Sequence, residues 1–554
     1  MPDWSYRTFL RPLLLARGEE RGRRTAVRAL RTLSRLPFGR QLIDFMGHMR
    51  ADPRLRTPFG EAVLPGPVIL GAGIDPTGEA IGALERFGVG MIEIDGTNEE
   101  EVAKNLESAK PSVPVCIRVT TQEAATRLQE HATFFVLDHT ILYAGDAVGV
   151  WLRNASADDV RALREQQPEA LIVAGGVTSP DDARRLLDAG ANAVAVDAGL
   201  LSSGPGLVKR CNEALLSTQT PPAPPEPFTL DAARSAWFWA FLLGIAMFAG
   251  GVLALIVAST RVVLPYDESM AGLTRAQLHA LNPRLLPFMA HDRVSLAGTM
   301  ISIGVFYAAL AWFGIRRGEH WAHVTVIVSA AIGFFSFFFF LGFGYFDPFH
   351  AFVTAILTQF MLLCMILPLS PRQIPVAEWH ESAAWRRGQW GQLLFILIGV
   401  AITGSGAVIS FIGCTSVFVA TDLAFLRTTA ETLRQSSFAH LVPLIAHDRA
   451  SLGGMLLANG VTIWLAAQWG FRAGARWLWS ALAWGGNIAF AAATIVHFVV
   501  GYGAVLHLTP AFLGWLAWNA ALALTRGWLT ARDSDPSTAL PSGVRPGRRS
   551  STRT

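Results

Sequence analysis

The sequence predicts an α/β barrel of the TIM type, followed by an all-α membrane domain of about eight helices built from two four-helix repeats. Short apolar runs alternate with helical segments between about residues 62 and 215, which indicates the barrel. Long uncharged runs dominate beyond about residue 230, which indicates membrane spans. With 554 residues, more than one domain is expected, because single cores stop growing at about 250–300 residues.

The N-terminal segment is rich in Arg and Leu. Its stretch "FLRPLLLARGEERGRRTAVRALRTL" lacks the sustained apolar run of a secretory signal. The pattern predicts two short amphipathic helices that lie on an anionic membrane surface. The alternative is that these helices only cap the adjacent domain.

Composition argues against several classes of site. The formal charge is +4, and basic residues do not alternate with aromatic residues in stripes. We therefore expect no nucleic-acid partner. The four cysteines are scattered without C-x-x-C spacing, so neither a zinc site nor a disulfide framework is expected.

Seven apolar runs predict the strands of the barrel. They lie at 67–71, 90–94, 115–119, 133–137, 148–152, 170–174 and 193–196. Gly175 and Gly176 follow the sixth run, and Gly199 follows the seventh. Glycine-ended final strands form the phosphate site of many TIM barrels, so these strand ends predict a phosphate cradle.

Eight later runs are near the length needed to span a bilayer. They lie at 236–258, 296–315, 323–345, 349–369, 391–413, 452–469, 477–500 and 504–525. The stretch "LPFMAHDRVSLAGTM" (286–300) returns as "PLIAHDRASLGGML" (443–456). The recurring polar residues are His291, Asp292, Arg293 and His350, matched by His447, Asp448, Arg449 and His507. This recurrence predicts a duplicated four-helix unit with both copies the same way up.

Positive charge in the short loops predicts the orientation. Arg residues lie in the loops between spans 2 and 3, 4 and 5, and 6 and 7, whereas the turns 3–4 and 7–8 have none. The positive-inside rule then places both termini and the barrel in the cytoplasm of a bacterial-type cell, with the spans in its inner membrane. The predicted segments are N-terminal helices (1–60), barrel (61–216), Pro-rich linker (217–231), repeat 1 (232–370), cytoplasmic loop (371–390), repeat 2 (391–528) and disordered basic tail (529–554).

The two His-Asp-Arg triplets have two interpretations. As ionisable groups at a membrane interface, they suit an anion, a proton or a quinone head group, or, with His350 and His507, a metal or haem. Alternatively, Asp and Arg pair with each other and cap the helix N-terminus. We favour the cap and ion pair.

The barrel segment resembles a known family. The N-terminal stretch above, "DPRLRTPFGEAVLPGPVILGAGIDPTGEAIGAL", "GVGMIEIDGT" and the region from "VPVCIRVT" to "GPGLVKR" are similar to the membrane-associated, quinone-linked dihydroorotate dehydrogenases. The resemblance covers under half of the chain. It implies an FMN-binding TIM barrel with membrane lipid and quinone as partners.

The resemblance also implies which residues contact FMN. By position they are Ala72, Gly73, Thr97, Arg118, Gly175, Gly176 and Gly199. The first two would lie under the flavin with the third beside it, and the last three would hold its phosphate. Arg118 takes the place of a flavin-contacting lysine, a replacement that keeps the charge but changes its shape.

Departures from the family pattern argue against its reaction. Pro76 stands where the family has a lysine that touches flavin and orotate. Only 16 residues separate Thr97 from Pro114, where the family has a much longer segment with two strands, the orotate-binding asparagines and the general base. The barrel is therefore expected to be incomplete and degenerate. A carboxylate, Asp197, also lies next to the phosphate cradle.

Two functional hypotheses follow. The first is a membrane-bound, FMN-dependent oxidoreductase of dihydroorotate dehydrogenase type with lost or altered activity, which passes electrons to quinone. The second is a non-catalytic barrel that binds a ligand or docks as the cytoplasmic domain of a membrane sensor or carrier. Asp138, His139 and Asp146 follow a predicted strand, and they are either a substitute acid–base group or ordinary polar residues at a strand end.

Overall fold

The structure, a computed structural model, describes residues 3–16, 18–145, 147–197, 199–219, 228–340, 348–372, 378–434 and 440–531. Most of the predicted linker and the tail after 531 lie outside these ranges. The chain begins with helices α1 (Asp3–Ser5), α2 (Arg11–Leu15), α3 (Glu19–Arg35) and α4 (Gly39–Gly47), with a π-helical turn, Tyr6–Leu10, between the first two.

A closed barrel of eight strands follows the N-terminal helices. Its strands are β3 (Val68–Leu70), β4 (Ile92–Asp95), β5 (Val115–Val119), β6 (Phe134–Leu137), β7 (Ile141–Ala144), β8 (Ala147–Leu152), β9 (Leu171–Gly175) and β10 (Ala193–Val196). Neighbouring strands pair in sequence order, and β10 closes the ring onto β3. The predicted α/β barrel is confirmed, but the expectation that it would be incomplete is wrong.

Strand β7 explains how the shortened chain still closes the barrel. It is antiparallel to both β6 and β8, whereas the other neighbouring pairs in the ring are parallel. Two tight turns around β7 therefore carry the chain from β6 to β8 without a crossover helix. Seven parallel strands match the seven predicted runs, and β7 is the strand that the sequence analysis missed.

An antiparallel hairpin precedes the ring and fills one end of it. Strands β1 (Thr57–Phe59) and β2 (Ala62–Leu64) pair with Thr57 opposite Leu64. Phe59 and Leu64 are fully buried against the inward-facing barrel residues. The Phe59 ring meets the edge of the Phe134 ring at a centroid distance of 5.4 Å. Apolar side chains therefore close the barrel interior on the hairpin side.

The outer helices of the barrel are short. They are α5 (Ile81–Leu84), α6 (Glu99–Ala109), α7 (Gln122–Leu128), α8 (Ala157–Gln166), α9 (Pro180–Asp188), α10 (Gly199–Ser203) and α11 (Gly206–Gln219). A side-chain cap fixes the start of α6 to α9, from Asn98, Thr121, Ser156 and Ser179 respectively. Each cap accepts a hydrogen bond from an otherwise unpaired N–H of the first turn.

The C-terminal region is helical. Its helices are α12 (Ala236–Thr260), α13 (Pro265–Ala271), α14 (Arg275–Leu281), α15 (Leu285–Ala309), α16 (His320–Phe340), α17 (Pro348–Ile366), α18 (Ala383–Cys414), α19 (Ala420–Leu426), α20 (Ala430–Leu433), α21 (Leu441–Gly470), α22 (Arg476–Val500) and α23 (Val505–Leu529). Among the described residues, seven helices are long and apolar enough to cross a membrane. The remaining predicted span, 323–345, corresponds to α16, whose described apolar stretch is His320–Ser336.

Glycines let the longest helices approach each other closely. A Cβ on Gly244 or Gly251 of α12 would lie 2.4 Å or 2.7 Å from a backbone nitrogen of α15. A Cβ on Gly399 or Gly406 of α18 would lie 2.7 Å or 2.4 Å from one of α21. The two glycine pairs are 155 positions apart, so α12 packs on α15 in the same way as α18 packs on α21.

The barrel contacts one end of the helical domain. Gln468 and Trp469, near the end of α21, both donate to the Phe45 carbonyl of α4, at 3.0 and 2.9 Å. Arg210 of α11 pairs with Glu381 at 3.2 Å. Helices α13, α14, α19 and α20 belong to the two longer loops, and apolar residues from these loops form a separate core. The helical domain therefore carries the barrel at one end and packed loop helices in its two longer connections.

Candidate functional site

Charged side chains collect where the barrel strands end. Along each strand successive residues alternate between the interior and the exterior. Nearer the hairpin end of the barrel, the inward-facing residues are apolar and fully buried, as at Cys116 and Val173. Five charged residues lie among the last three residues of a strand or directly after it, namely Glu93, Asp95, Arg118, Arg153 and Asp197. We call these five residues the mouth cluster.

Glu93 is the most deeply buried member of the mouth cluster. Its side chain is 0% exposed, and it lies 2.6 Å from the Arg153 guanidinium, which also donates a 2.8 Å hydrogen bond to it. The same carboxylate accepts the Ala72 backbone N–H at 3.0 Å. Arg153 is held in turn over the Trp151 ring at 4.6 Å. A buried ion pair therefore fills part of the mouth and engages the amide of Ala72.

Asp197 crosses from the end of β10 to the glycine turn after β3. Its carboxylate accepts the Gly73 N–H at 2.8 Å. A Cβ placed on Gly73 would lie 2.1 Å from the same carboxylate oxygen. The small size of Gly73 is therefore required by the protein's own Asp197.

Arg118 and Thr97 meet on the carboxylate of Asp95. Arg118 donates to it at 2.6 Å, and the Thr97 N–H donates at 3.1 Å. Partial burial acts to raise the pKa of Asp95, but the hydrogen bonds from Thr97 and Arg118 outweigh it and hold that pKa below its usual range. Arg118 therefore neutralises a neighbouring carboxylate within the mouth cluster.

The predicted phosphate cradle is more open than the turn at Ala72 and Gly73, which we call the ring position because the resemblance places the flavin ring there. Gly176 is exposed with φ of +94°. The nearest atom to a Cβ on Gly199 would be a Thr178 methyl at 3.7 Å. Gly175 differs, because its Cβ would lie 2.3 Å from the Arg153 carbonyl. Two of the three cradle glycines are therefore accessible.

The structure describes two of the three residues considered as a substitute acid–base group. Asp138 and His139 are exposed, with positive φ, in the turn between β6 and β7. Asp146 lies outside the described residues. The carbonyl of Pro76 accepts the Asp95 N–H at 2.8 Å.

The cradle has space at Gly176 and Gly199, whereas the position expected for the flavin ring is occupied by side chains of the protein. The resemblance places the flavin ring over Ala72 and Gly73, yet the amides of both residues are bonded to carboxylates of the chain. Glu93 and Asp197 bring negative charge to that position, and the buried Glu93–Arg153 pair is costly to separate. The residues present therefore do not fit a flavin bound as in the family.

The second constellation lies within the helical domain, where the two triplets exchange partners. Arg293 donates to Asp448 at 2.8 and 3.2 Å. Arg449 donates to Asp292 at 3.1 Å. Both arginines are largely buried, with side chains 14% and 6% exposed. We call these four residues the crossed pairs.

Each arginine of the crossed pairs also binds the long loop that precedes its own helix. Arg293 donates to the Val262 carbonyl at 2.6 Å and to Asp267 at 2.7 Å. Arg449 donates to the Val417 carbonyl at 2.8 Å and to Asp422. Val262 and Val417 both have positive φ, 67° and 68°, a conformation that is rare for β-branched residues.

The triplets are ion pairs but not helix caps. They begin at His291 and His447, well inside helices that start at Leu285 and Leu441. The structure pairs Asp with Arg between the two triplets, and neither triplet lies at a helix N-terminus. Asp267 and Asp422 were missed, although each lies 155 positions from the other and the same repeat identifies both.

The histidines are arranged asymmetrically. His291 contacts Asp292 at 2.8 Å and His497 at 3.1 Å between ring nitrogens. His447 lies near Asp448 at 3.5 Å, and its ring stacks on His350 at 5.9 Å. The side chain of His507 lies outside the described part of the chain. Among the side chains that the structure describes, no three His, Cys, Asp or Glu residues are grouped to hold a metal ion.

Comparison with known proteins gives a short match. The chain is 43% identical over 74 residues to a dihydroorotate dehydrogenase (quinone) of Thiobacillus denitrificans, which is 13% of this chain and 22% of that protein. The chain thus spans less than a quarter of that relative. No protein-family model matches the chain. Together with the closed barrel, the match supports a barrel that is partly like those of dihydroorotate dehydrogenases.

Proposed function

We propose that the chain is a membrane protein whose barrel is related to quinone-linked dihydroorotate dehydrogenases and now serves as a non-catalytic docking or ligand-binding domain. The observation that supports this proposal most strongly is the mouth cluster. There, Glu93 and Asp197 accept hydrogen bonds from the backbone N–H groups of Ala72 and Gly73. The ring position is thereby satisfied by the protein itself. A preformed internal network of this kind stabilises the fold in place of a cofactor.

The missing catalytic segment supports the same proposal. Between Thr97 and Pro114 the chain forms only helix α6 with its Asn98 cap. Among the described residues, the candidate replacements Asp138 and His139 lie in an exposed turn, where neither is positioned as a base. Removing a positioned base lowers a proton-transfer rate by about 10²–10⁴-fold. Oxidation of dihydroorotate is therefore not expected.

A second candidate is the flavin-dependent oxidoreductase of the family, with FMN as cofactor and quinone as acceptor. The accessible Gly176 and Gly199 favour it, together with the 74-residue match. It requires Asp197 to release Gly73 and the Glu93–Arg153 pair to rearrange. The two candidates therefore differ in whether the mouth cluster stays closed.

For the helical domain, we propose a duplication of one four-helix unit in a bacterial inner membrane, surrounded by lipid. The crossed pairs and the paired glycines support duplication because equivalent residues make equivalent contacts. The barrel contacts the same helix ends that carry the short Arg-rich loops, which supports a cytoplasmic barrel and cytoplasmic termini. The hydrogen bonds to Phe45 and the Arg210–Glu381 pair would hold the barrel in a fixed orientation.

A turnover assay tests the proposal. The full chain in proteoliposomes, supplied with FMN, dihydroorotate and a short-chain quinone, should reduce no quinone above the level of empty vesicles. Gly176→Asp, which places a carboxylate in the cradle, should give the same zero rate. Quinone reduction that Gly176→Asp abolishes would contradict the non-catalytic proposal and favour the flavoprotein.

A further inference from the structure

A cavity lies where the barrel meets the helical domain, away from the mouth cluster. Its volume is about 400 Å³, which is within the range of small-molecule sites. One wall consists of the segment 48–55, which follows α4, and one face of α11. The other wall consists of the loops that join α15 to α16 and α21 to α22. Both domains therefore contribute to it.

The cavity carries an excess of positive charge. Its lining holds five cations against three carboxylates, Asp52, Glu213 and Glu319, which gives a formal charge of +2. The five cations are Arg50, Lys209, Arg317, Arg372 and Arg472. Glu213 lies between two of the cations, 4.0 Å from Lys209 and 3.7 Å from Arg472. Arg50 pairs with Asp44 at 2.7 Å and Asp52 pairs with Arg54 at 2.9 Å. The four other cations against Glu213 and Glu319 keep the excess of positive charge that an anion requires.

Equivalent residues of the two helical halves line this cavity. Gly318 and Gly474 turn the two loops with φ of 74° and 76°. Trp321 and Trp477 follow them, and their rings stack at 6.2 Å with an interplanar angle of 18°. Tryptophan rings at the ends of membrane spans are typical of the boundary between lipid and water. The cavity therefore lies at the level where lipid head groups are found.

Lys209 is the least exposed cation of this site, with a side chain that is 12% exposed. Its ammonium donates to the carbonyls of Gly47 and His48 at 3.1 and 2.9 Å. Burial lowers the pKa of Lys209 to about 8, and the nearby Arg472 acts in the same direction, against Glu213. A bound anion would relieve both effects, since it favours the charged ammonium.

We propose that this cavity binds the phosphate group of an anionic ligand at the cytoplasmic membrane surface. An anionic phospholipid and a soluble phosphate compound share that chemistry. The tryptophans and the span ends favour the lipid, because basic pockets on the cytoplasmic side of membrane helices bind anionic head groups. This proposal does not depend on whether the barrel mouth binds flavin.

Thermal unfolding and native mass spectrometry of the full chain in neutral detergent test the proposal. The probes are phosphatidylglycerol, phosphatidylcholine, glycerol 3-phosphate and inorganic phosphate. The test variant is Arg317→Gln with Arg372→Gln, two exposed side chains whose loss should leave the fold intact. The control is Arg387→Gln, which is exposed at the same end of the domain and does not line the cavity.

We expect phosphatidylglycerol to be retained and to raise the unfolding temperature more than phosphatidylcholine does. Its affinity should fall roughly fivefold for each cavity arginine removed and should not change in Arg387→Gln. Equal effects of the soluble phosphates would support the site with a soluble ligand. Retention that is the same for all lipids, or that the double variant leaves unchanged, would overturn the proposal.

Discussion

Arg293 and Asp448 come from opposite halves of the helical domain and are joined by hydrogen bonds of 2.8 and 3.2 Å. Arg449 and Asp292 make the reciprocal contact at 3.1 Å. Each half therefore completes the buried charge of the other. Because unpaired buried charges are costly, neither half is expected to be stable alone.

Arg293→Gln should lower stability by about 3–5 kcal/mol, as expected when a buried pair loses one partner. It should cost more than Asp448→Asn, because Arg293 holds Asp267 as well. Thermal unfolding in detergent measures the difference. The matched control is Arg275→Gln, an exposed arginine of α14. Equal unfolding temperatures for Arg293→Gln and the control would contradict the structural role of the crossed pairs.

Two glycines of α18 provide a test of helix packing. A Cβ on Gly406 would lie 2.4 Å from the Leu457 backbone nitrogen, whereas nothing lies within 4 Å of one on Gly404. Gly406→Ala should destabilise by about 1–3 kcal/mol through overpacking. Gly404→Ala should be neutral or stabilise by up to about 1 kcal/mol, since Ala favours helix. The reverse order of unfolding temperatures would show that α18 does not approach α21 as described.

Arg153→Ala tests the mouth cluster directly. The substitution removes the cation that pairs with the buried carboxylate of Glu93. The free energy of unfolding should therefore fall by about 3–5 kcal/mol. Arg127→Ala is the control, because Arg127 is 59% exposed and surface pairs such as the one it makes with Glu99 contribute about 0–1 kcal/mol. Chemical unfolding of the barrel, followed by fluorescence, compares the two variants. Similar midpoints would mean that the Glu93–Arg153 pair does not contribute to stability.

Retention of the proposed anion should depend on the charge of Lys209. The pKa of this lysine is about 8, so its ammonium is present at pH 7 and largely lost by pH 9. The charged groups that act on it are Glu213, Arg472, Asp3 and Arg372. Phosphatidylglycerol affinity should therefore fall between pH 7 and pH 9. Lys209→Met should remove that dependence. If Lys209→Met keeps the pH profile of the unaltered chain, the charge of Lys209 does not control retention of the anion.

The sequence was sufficient for the elements with strong periodicity or composition. Seven parallel strands and the long apolar helices follow from these signals, and the recurrent triplets led to the residues of the crossed pairs. Strand β7 was missed because "ILYA" is a four-residue run that ends at Gly145, and so short a run carries little periodicity.

The contents of the candidate sites were harder to predict than the elements. That Asp197 bonds to Gly73, 124 positions away, depends on the closure of β10 onto β3, which no local pattern encodes. Likewise, the Glu93–Arg153 pair requires β4 and β8 to face each other across the barrel. The cap assigned to the triplets failed because α15 and α21 begin earlier than their apolar runs.

The most direct test of the central claim is an FMN titration of the purified full chain, followed by flavin fluorescence. The account predicts no saturable quenching, because Glu93 and Asp197 occupy the ring position. Glu93→Gln with Asp197→Ala should be the variant in which any flavin binding first emerges. Saturable, one-to-one binding of FMN by the unaltered chain, lost in Gly176→Asp, would contradict the claim that the barrel mouth is closed to flavin.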